Sequence, residues 1–321
     1  MSWNQIHKAL TGYEYKKEYT IKELFSLSFK KRKDIMNERN ELQVTYLPKP
    51  WIWTRVLLVI GILIVVNYFV TREIGVIIFP YLTLLMAAFV PITVLTFLFE
   101  INRNEKIAIL DLVLIFLFGS SLSLVSVTAT FFSTGIAVLD PLIISIVEEF
   151  AKIVPIFIAL RYFRVKTIGL AVVVGFTVGA GFQVIETMGY STYYGFLSPS
   201  YINNGIIDYS TMWDRFIYSF SSHALWGAIE AFAIVACKKE NYMSALDNKR
   251  FWIWISFPIM GHFLWDLIAF SSISAVLMFI LFMAIQILFA FLFVLIINIV
   301  IHSNLKDPPL IYEYVDEGGE F

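Results

Sequence analysis

The sequence near the C-terminus decides the fold class: residues 276–301 read VLMFILFMAIQILFAFLFVLIINIVI, without a single Asp, Glu, Lys or Arg. A helix of this length crosses the hydrocarbon core of a bilayer, for which about 20 apolar residues suffice. The whole chain agrees, since 59% of its 321 residues are hydrophobic, only 15% are charged, and the mean hydropathy is +0.75. Average soluble domains contain about 25% charged residues. The composition therefore excludes a secreted soluble enzyme, a nucleic-acid binder and a disordered scaffold as descriptions of the whole chain.

Seven further apolar runs of similar length precede this one. Backbone groups cannot stay unpaired in lipid, so each run is expected to form a helix rather than a strand. We predict an all-α, polytopic integral membrane protein with about eight transmembrane helices. The predicted spans, one to eight, are Trp51–Val70, Ile74–Phe99, Ile107–Val127, Pro141–Leu160, Ile168–Met188, Phe216–Ala236, Phe251–Phe270 and Val276–Ile301.

Lysine and arginine segregate between the two sets of loops. They are frequent in residues 1–50 and in the loops after spans two, four and six, and Lys306 follows span eight, whereas the opposite loops contain only Arg72 and, at a helix edge, Arg215. Because cytoplasmic loops are enriched in Lys and Arg, both termini are predicted to be cytoplasmic in a multi-pass protein of the cell membrane. The predicted segments are a basic N-terminal segment (1–50), a transmembrane domain (51–302) and an acidic tail (303–321).

Three further predictions concern the start of the chain, its cysteine and its longest outside loop. The start of the chain has no pattern of a cleavable signal peptide. The single cysteine, Cys237, excludes an intramolecular disulfide and a thiolate metal cluster. Tyr190–Asp214 is predicted to be the longest outside loop.

Several ionisable side chains interrupt spans four to seven. Such groups are costly inside a membrane, so each is a functional candidate. Span four carries Glu148, Glu149 and Lys152, span five carries Glu186, span six carries His223, and span seven carries His262 and Asp266. Because consecutive spans run in opposite directions, all of these side chains are predicted to meet in the outer half of the membrane.

The predicted depths rest on the rise of a helix. Asp140 and Pro141 resemble an N-cap followed by a first-turn proline, which places Glu149 about 12 Å inside the membrane. His223 is predicted to lie about 10 Å from the start of span six, and His262 about 12 Å from the end of span seven. Pro155 is expected to kink span four. Glu230, on the same helix face as His223, is a further candidate for a contact with the site.

This set of residues is suited to hydrolysis. Two histidines and a carboxylate are a frequent catalytic zinc set that leaves one position for water, and a remaining glutamate can act as the base. Asp266, one helical turn from His262, can orient that imidazole. Without a metal, a paired glutamate could activate water while a histidine stabilises the oxyanion. Zinc therefore stays open at this stage, and Lys152 can neutralise one of the two adjacent carboxylates.

The ordered motifs resemble those of the PrsW family of intramembrane proteases, which is related to the type II CAAX prenyl endopeptidases. The resemblance covers 141–270 and rests on four motifs, namely Glu148-Glu149-x-x-Lys152, Phe182-x-x-x-Glu186, His223 and His262-x-x-x-Asp266. The endopeptidase pattern has histidine where this chain has Glu186, and arginine where it has Ile153. The additional His223 favours the PrsW family.

The resemblance implies an α-helical membrane protease whose core is 141–270. Its best-known members cut a single-pass anti-sigma factor outside the membrane, so the expected partners are a membrane-anchored protein substrate and the lipid bilayer, and no nucleic acid. Carried over to this sequence, Glu148 and Glu149 would activate water. Glu186, His223 and His262 would hold a metal or polarise the scissile carbonyl, and Asp266 would support His262.

Three alternatives remain open from the sequence. The first is a protease of the CAAX or peptide-maturation type, with a different substrate and a cytoplasmic opening. The second is a proton- or ion-coupled transporter, because buried Glu and His also form relays, although the inverted repeats typical of that class are not visible. The third is a catalytically inactive relative that binds a partner.

Overall fold

The computed structural model describes residues 51–102, 107–130 and 134–304, together with four short strands closer to the termini. Its α-helices are α1 (Ile52–Ile74), α2 (Phe79–Ile101), α3 (Ile109–Thr130), α4 (Leu139–Tyr162), α5 (Ile168–Leu197), α6 (Pro199–Asn204), α7 (Ser210–Ile217), α8 (His223–Cys237), α9 (Lys249–Ala269) and α10 (Ala275–Asn304). Short 3-10 turns cover Gly75–Ile77 and Tyr242–Asp247. The prediction of a helical membrane protein is confirmed.

The terminal segments contribute strands that the sequence analysis did not predict. They are β1 (Tyr13–Tyr15), β2 (Phe29–Lys33), β3 (Val44–Pro48) and β4 (Leu310–Tyr314), arranged in the order β1-β4-β2-β3. β1 is parallel to β4, and β2 is antiparallel to both of its neighbours. Most of the predicted N-terminal segment (1–50) and acidic tail (303–321) lies outside the described residues, so both remain predictions.

Five helices of the described residues are long and apolar enough to cross a membrane: α1, α2, α5, α9 and α10. Two others contain shorter apolar helical stretches, Ile109–Leu122 in α3 and His223–Cys237, which is α8. α4 is as long as a span and carries the charged cluster near its middle. The count of eight spans and their orientation therefore remain predictions.

α5 is the central helix of the bundle. Of its most apolar window 89% is buried by protein, against 17% for α1 at the periphery, and it packs against α2, α3 and α8. Small residues allow these close approaches. A Cβ added at Gly179 would overlap the backbone carbonyl of His223, and Gly175 is similarly close to Gly227. The position of α8, and of the histidine at its start, therefore depends on glycines in α5.

The prediction of a continuous sixth span from Phe216 to Ala236 is wrong. The structure has the short helix α7 followed by non-helical backbone, and α8 begins only at His223. Two glutamines make this break possible. Gln183 of α5 donates to the carbonyl of Ser219 and accepts from the N–H of Ala224 (2.8 and 3.1 Å), and Gln286 of α10 donates to Tyr218 and accepts from Ser221 (both 2.9 Å). His223 thus lies at a helix N-terminus and not in mid-span.

Two further boundaries differ from the predictions. α5 continues through Met188 to Leu197, and α6 and α7 occupy much of the predicted outside loop. α4 begins at Leu139 with Val138 in the N-cap position. Asp140 does not cap it, because its carboxylate accepts hydrogen bonds from the N–H and hydroxyl of Thr134 (2.7 and 2.6 Å). The helix continues through Pro155 to Tyr162.

Candidate active site

The charged residues of α4, α5, α8 and α9 converge on one cluster. Glu149 is about 15 Å along α4, Glu186 about 16 Å from the end of α5, and His262 about 10 Å from the end of α9. His223 reaches the same place from the first position of α8. The structure therefore brings the four helices' charged residues together, and it places His223 at the start of its helix rather than within a span.

Glu149 and Lys152 form the inner side of this cluster, and both side chains are fully buried. Lys152 Nζ lies 2.5 Å from Glu149 Oε2, and the other oxygen of Glu149, Oε1, lies 2.7 Å from His262 Nδ1 and 3.7 Å from His223 Nδ1. A buried carboxylate in hydrocarbon needs such compensation. Both oxygens of Glu149 are thus engaged in holding its neighbours.

The two imidazoles have the same orientation relative to this inner side. His262 Nδ1 faces Glu149, and His223 Nδ1 accepts from Lys152 Nζ at 3.1 Å. The Nε2 atoms of both rings therefore point to the other side of the cluster. For His262, a carboxylate at Nδ1 with Nε2 left for a ligand is the arrangement typical of catalytic and metal-binding histidines.

Glu148, Glu186 and Asp266 form that other side. His223 Nε2 lies 2.8 Å from Glu186 Oε2, and His262 Nε2 lies 3.6 Å from Glu148 Oε2 and 3.4 Å from Asp266 Oδ2. Among the described residues, Glu148 Oε2 is buried without a hydrogen-bond partner. This unsatisfied acceptor beside two imidazole nitrogens indicates a place for a ligand.

Arg215 belongs to the site, although the sequence analysis assigned it only to a helix edge. Its Nη1 lies 3.2 Å from Glu186 Oε1, and its guanidinium lies 4.3 Å from the centre of the Tyr190 ring. Glu186 is therefore held between a cation and an imidazole. The sequence contained one signal for this role, since Arg215 is one of only two Lys or Arg residues in the loops predicted to be outside.

Trp226 fixes the imidazole planes. Its ring is stacked on His262, with centroids 5.0 Å apart and planes at 28°, and it meets His223 edge to face at 4.9 Å. Lys152 Nζ lies 5.2 Å from the same ring, within the range of a cation–π contact. One tryptophan thus packs against three polar members of the cluster.

Glu230 is a further carboxylate near the inner side, close enough to interact electrostatically with Lys152 and Glu149. It is fully buried, and neither of its carboxylate oxygens has a hydrogen-bond partner within the described part of the chain. The structure therefore retains it as a neighbour of the cluster. It does not line the cavity described next, as far as the described residues show.

A cavity of about 620 Å³ opens beside Glu148, Glu186, His262 and Asp266. That volume is in the range of ligand-binding pockets. Its other walls are largely aromatic and apolar: Tyr190, Tyr194, Tyr218, Trp265, Phe279 and Phe282. Asp214 lies near Arg215 on α7, and burial together with the nearby Asp208 raises the pKa of its carboxyl above the ordinary value. The space has apolar rings along its walls, and carboxylates and an imidazole lie at its end. It can admit an extended segment of another polypeptide.

The donor set fits a metal ion. In the described residues, Glu148, His223 and His262 each offer one ligand atom, and these atoms all lie within 4.8 Å of one another. A cavity of about 30 Å³, large enough for about one water, is lined by both histidines together with Glu186 and Asp266. One carboxylate with two imidazoles is a frequent ligand set for zinc.

All seven residues predicted from the sequence are therefore brought together by the structure. They divide into an inner layer, Glu149 and Lys152, and a cavity layer, Glu148, Glu186 and Asp266, with the two histidines bridging them. The three residues whose ligand atoms lie within 4.8 Å of one another are Glu148, His223 and His262. The resemblance had placed Glu186, and not Glu148, among the metal ligands. Arg215, Trp226, Gln183 and Gln286 were not predicted to have these roles.

Comparison with known proteins gives one family match that covers the site. The model of the PrsW family intramembrane metalloprotease matches residues 80–297, well over half of the chain. The matched range contains every member of both layers. No curated protein and no solved structure matches the chain.

Proposed function

We propose, since the chain belongs to the PrsW family of intramembrane metalloproteases, that it hydrolyses a peptide bond of a membrane-anchored protein near the outer face of the cell membrane. Family membership makes the chain a membrane-embedded protease with a membrane protein as substrate and a metal ion as cofactor. It also decides between the protease and the transporter, which the sequence alone had left open.

The observation that carries the proposal is the difference between the carboxylates of Glu148 and Glu149. This buried carboxylate has a free acceptor oxygen, lies next to His262 Nε2, and faces a cavity that is large enough for a peptide segment. A structural ion pair would have its oxygens satisfied, as those of Glu149 are.

We assign the ligand positions to Glu148, His223 and His262, and the metal to zinc. When bound there, zinc supplies a Lewis acid that polarises the scissile carbonyl and activates water. Glu149 and Lys152 contact the Nδ1 atoms of the two rings, so that the Nε2 atoms face the carboxylates of Glu148, Glu186 and Asp266. Glu149 orients His262 through Nδ1, and Asp266 lies beside the Nε2 atom of the same ring.

Glu186 is the residue that we assign to proton transfer. It faces the same cavity and, among the described carboxylates, it lies closest to the Nε2 atom of His223. Its carboxylate accepts a proton from the attacking water and returns it to the leaving amine. Arg215 keeps the carboxylate in place. This division differs from the one that the resemblance implied, in which Glu148 and Glu149 shared the activation of water.

The finer features of the proposal rest on the sequence. Segregation of Lys and Arg supports eight spans with both termini in the cytoplasm, which places the cluster in the outer half of the cell membrane. The substrate class that we propose is a single-pass protein such as an anti-sigma factor. The cavity is consistent with such a segment, because its aromatic walls can pack against apolar side chains.

The test is cleavage of a panel of single-pass membrane proteins by the purified full-length chain in lipid vesicles, with product masses determined. The expected result is a product that appears with the wild type and with Glu73→Gln, an exposed carboxylate outside the site, but not with Glu148→Gln. The mass should place the cut near the outer end of the substrate span.

Two further arms separate the chemistry from the substrate. A chelator should stop cleavage and added zinc should restore it; activity that persists after the metal has been removed completely would favour the glutamate mechanism without metal. Equal cleavage by wild type and Glu148→Gln would refute the site. A cut at the cytoplasmic end would favour the alternative of a CAAX-type opening.

A further inference from the structure

A second cavity lies at the opposite ends of α4 and α8 from the protease cluster. It has a volume of about 530 Å³ and is lined by the last turn of α4, the turn that follows it, and the segment after α8. Arg161 lies about 18 Å along α4 from Glu149. The cavity shares no lining residue with the two cavities at the protease cluster, so it is a separate feature of the molecule.

Cations from two separate segments converge on this cavity. Arg161, Arg164 and Lys166 come from the end of α4 and its following turn, and Lys238 comes from the end of α8. Glu240 is the one carboxylate among the described lining residues. An excess of Lys and Arg is expected in loops on the cytoplasmic side, but that rule does not explain why four cations from two loops surround a single concave space.

The backbone around the cavity is arranged in a specific way. Arg164 adopts a left-handed conformation with φ of 51°, which is unfavourable for a residue with a side chain. Hydrogen bonds from Arg164 N to Arg161 O and from Val165 N to Leu160 O, at 3.2 and 3.0 Å, hold this turn. The turn brings Arg161, Arg164 and Lys166 to the same cavity.

The two segments are also fastened to each other. The carbonyl of Val165 accepts from the hydroxyl of Tyr242 at 2.5 Å and from Lys238 Nζ at 3.2 Å. The same Nζ lies 4.4 Å from the centre of the Tyr242 ring. Lys238 and Tyr242 are therefore fixed against the turn before an anion binds, which reduces the ordering that binding requires.

One wall of the cavity is apolar. Phe157 and Ile158 line it from α4, and Met243 lines it from the other segment. Ile158 is 54% exposed, on a helix that spans the membrane in our proposal. A ligand that fits these walls has an anionic group for the cations and a hydrocarbon part for α4. Basic pockets between membrane helices bind phosphate-bearing lipid headgroups in this way, and arginine suits phosphate because it donates two parallel hydrogen bonds.

We propose that this cavity binds the phosphate group of an anionic membrane lipid, with the acyl chains lying along the Phe157 and Ile158 face of α4. A free phosphate ion shares the same chemistry for the cations but makes no use of the apolar wall. The proposal does not depend on the protease activity, because binding can be measured without a substrate.

The experiment titrates the full-length chain in detergent micelles with dioleoyl phosphatidylglycerol or with dioleoyl phosphatidylcholine. The thermal midpoint reports binding, because a ligand specific for the folded state raises it, and native mass spectrometry counts the retained lipid. The test variant combines Arg161→Gln with Arg164→Asn, since asparagine tolerates the left-handed conformation. The matched control, Lys249→Gln with Arg250→Gln, removes two exposed cations that are outside the cavity.

We expect phosphatidylglycerol, but not phosphatidylcholine, to stabilise the wild type and the control variant. The affinity of the test variant should fall about tenfold or more, since each cation near an anionic headgroup contributes measurably. Arg161→Gln alone should give a smaller loss, and it serves as the test if the double variant does not fold. An equal loss in test and control variants would overturn the proposal, because it would reflect general surface charge.

A third arm uses inorganic phosphate. If millimolar phosphate competes only weakly with phosphatidylglycerol, the lipid is the ligand and the apolar wall contributes. If phosphate alone produces the full stabilisation and phosphatidylglycerol adds nothing, the lipid assignment is wrong. Unchanged phosphatidylglycerol binding in the test variant would also refute the cavity as the site.

Discussion

The two layers of the active site contain the same kinds of residue in different states. In the inner layer, Glu149 has both oxygens engaged, by Lys152 and by the two histidines. In the cavity layer, Glu148 has an oxygen that accepts no hydrogen bond from the described chain, although it is the adjacent residue on the same helix. Both side chains are buried, so burial alone does not explain the difference.

The difference indicates that the inner layer has a structural role, whereas the cavity layer is available to bind a ligand. A buried charge in hydrocarbon is tolerated when it is paired, and the inner layer is paired. An acceptor that stays unsatisfied is costly, and at Glu148 it lies beside a cavity in which a ligand can bind. Adjacent positions on a helix point about 100° apart, which allows Glu149 to face the protein interior while Glu148 faces the cavity.

The largest effect expected from this comparison is on catalysis through Glu148. Glu148→Gln should lower the cleavage rate by about a thousandfold or more, in the range seen when a central catalytic group is removed, because it takes one ligand from the metal set. The thermal midpoint should change little, since the carboxylate makes no hydrogen bond through Oε2. Cleavage assays and metal content measured by mass spectrometry check both statements.

Glu186→Gln is the matched variant for that prediction. It should also abolish cleavage, but it should retain the metal, because Glu148, His223 and His262 are unchanged. Loss of metal in Glu186→Gln together with its retention in Glu148→Gln would exchange the roles that we assign to the two carboxylates.

The next effect is on stability, through Glu149. Glu149→Gln leaves the ammonium of Lys152 buried without its charged partner, which typically costs about 3–5 kcal/mol. We therefore expect a marked fall in the thermal midpoint as well as a loss of cleavage. The double variant Glu149→Gln with Lys152→Met removes both charges, and it should regain much of the stability while remaining inactive. If Glu149→Gln were as stable as the wild type, the inner layer would not have the supporting role.

The helical membrane architecture and the residues that meet in the cluster could be predicted from the sequence because each depends on local properties. A run of apolar residues specifies a spanning helix by itself, and the rise of the helix converts residue numbers such as 149 and 262 into depths. Charged residues within such a run can be identified as functional candidates one by one, because they are rare there. The family motifs then connected them across four helices.

The break before His223 could not be predicted in the same way. Residues 216–220 read FIYSF, so a hydrophobic window extends over the break. The non-helical backbone is stable only because Gln183 and Gln286 bind its N–H and C=O groups, and these side chains come from helices that lie far away in sequence. The extension of α5 to Leu197 was missed for the opposite reason, since its last residues are polar and aromatic while remaining helical.

A smaller effect is expected from Gly179, whose close approach to α8 fixes where His223 begins. A Cβ at this position would overlap the His223 carbonyl. Gly179→Ala should therefore displace α8 and destabilise the protein by about 1–3 kcal/mol, as overpacking does. Gly189→Ala on the same helix is the control, because nothing lies within 4 Å of a Cβ added there. That control should be neutral or slightly stabilising, and equal destabilisation of the two variants would mean that helix propensity, and not the contact, is responsible.

The smallest effect separates the charge of Arg215 from its shape. Arg215→Lys keeps a cation near Glu186 but loses the planar group that stacks on Tyr190 and donates through Nη1. We expect cleavage to slow by about tenfold, which corresponds to about 1.4 kcal/mol, while the metal content stays unchanged. Arg215→Gln should be slower still, because Glu186 then faces the cavity without a neighbouring cation. If Lys and Gln at this position gave the same rate, the stacked geometry would matter and the charge would not. If Lys restored the full rate, the role of Arg215 would be purely electrostatic, and the cavity layer would then depend only on the charges around it.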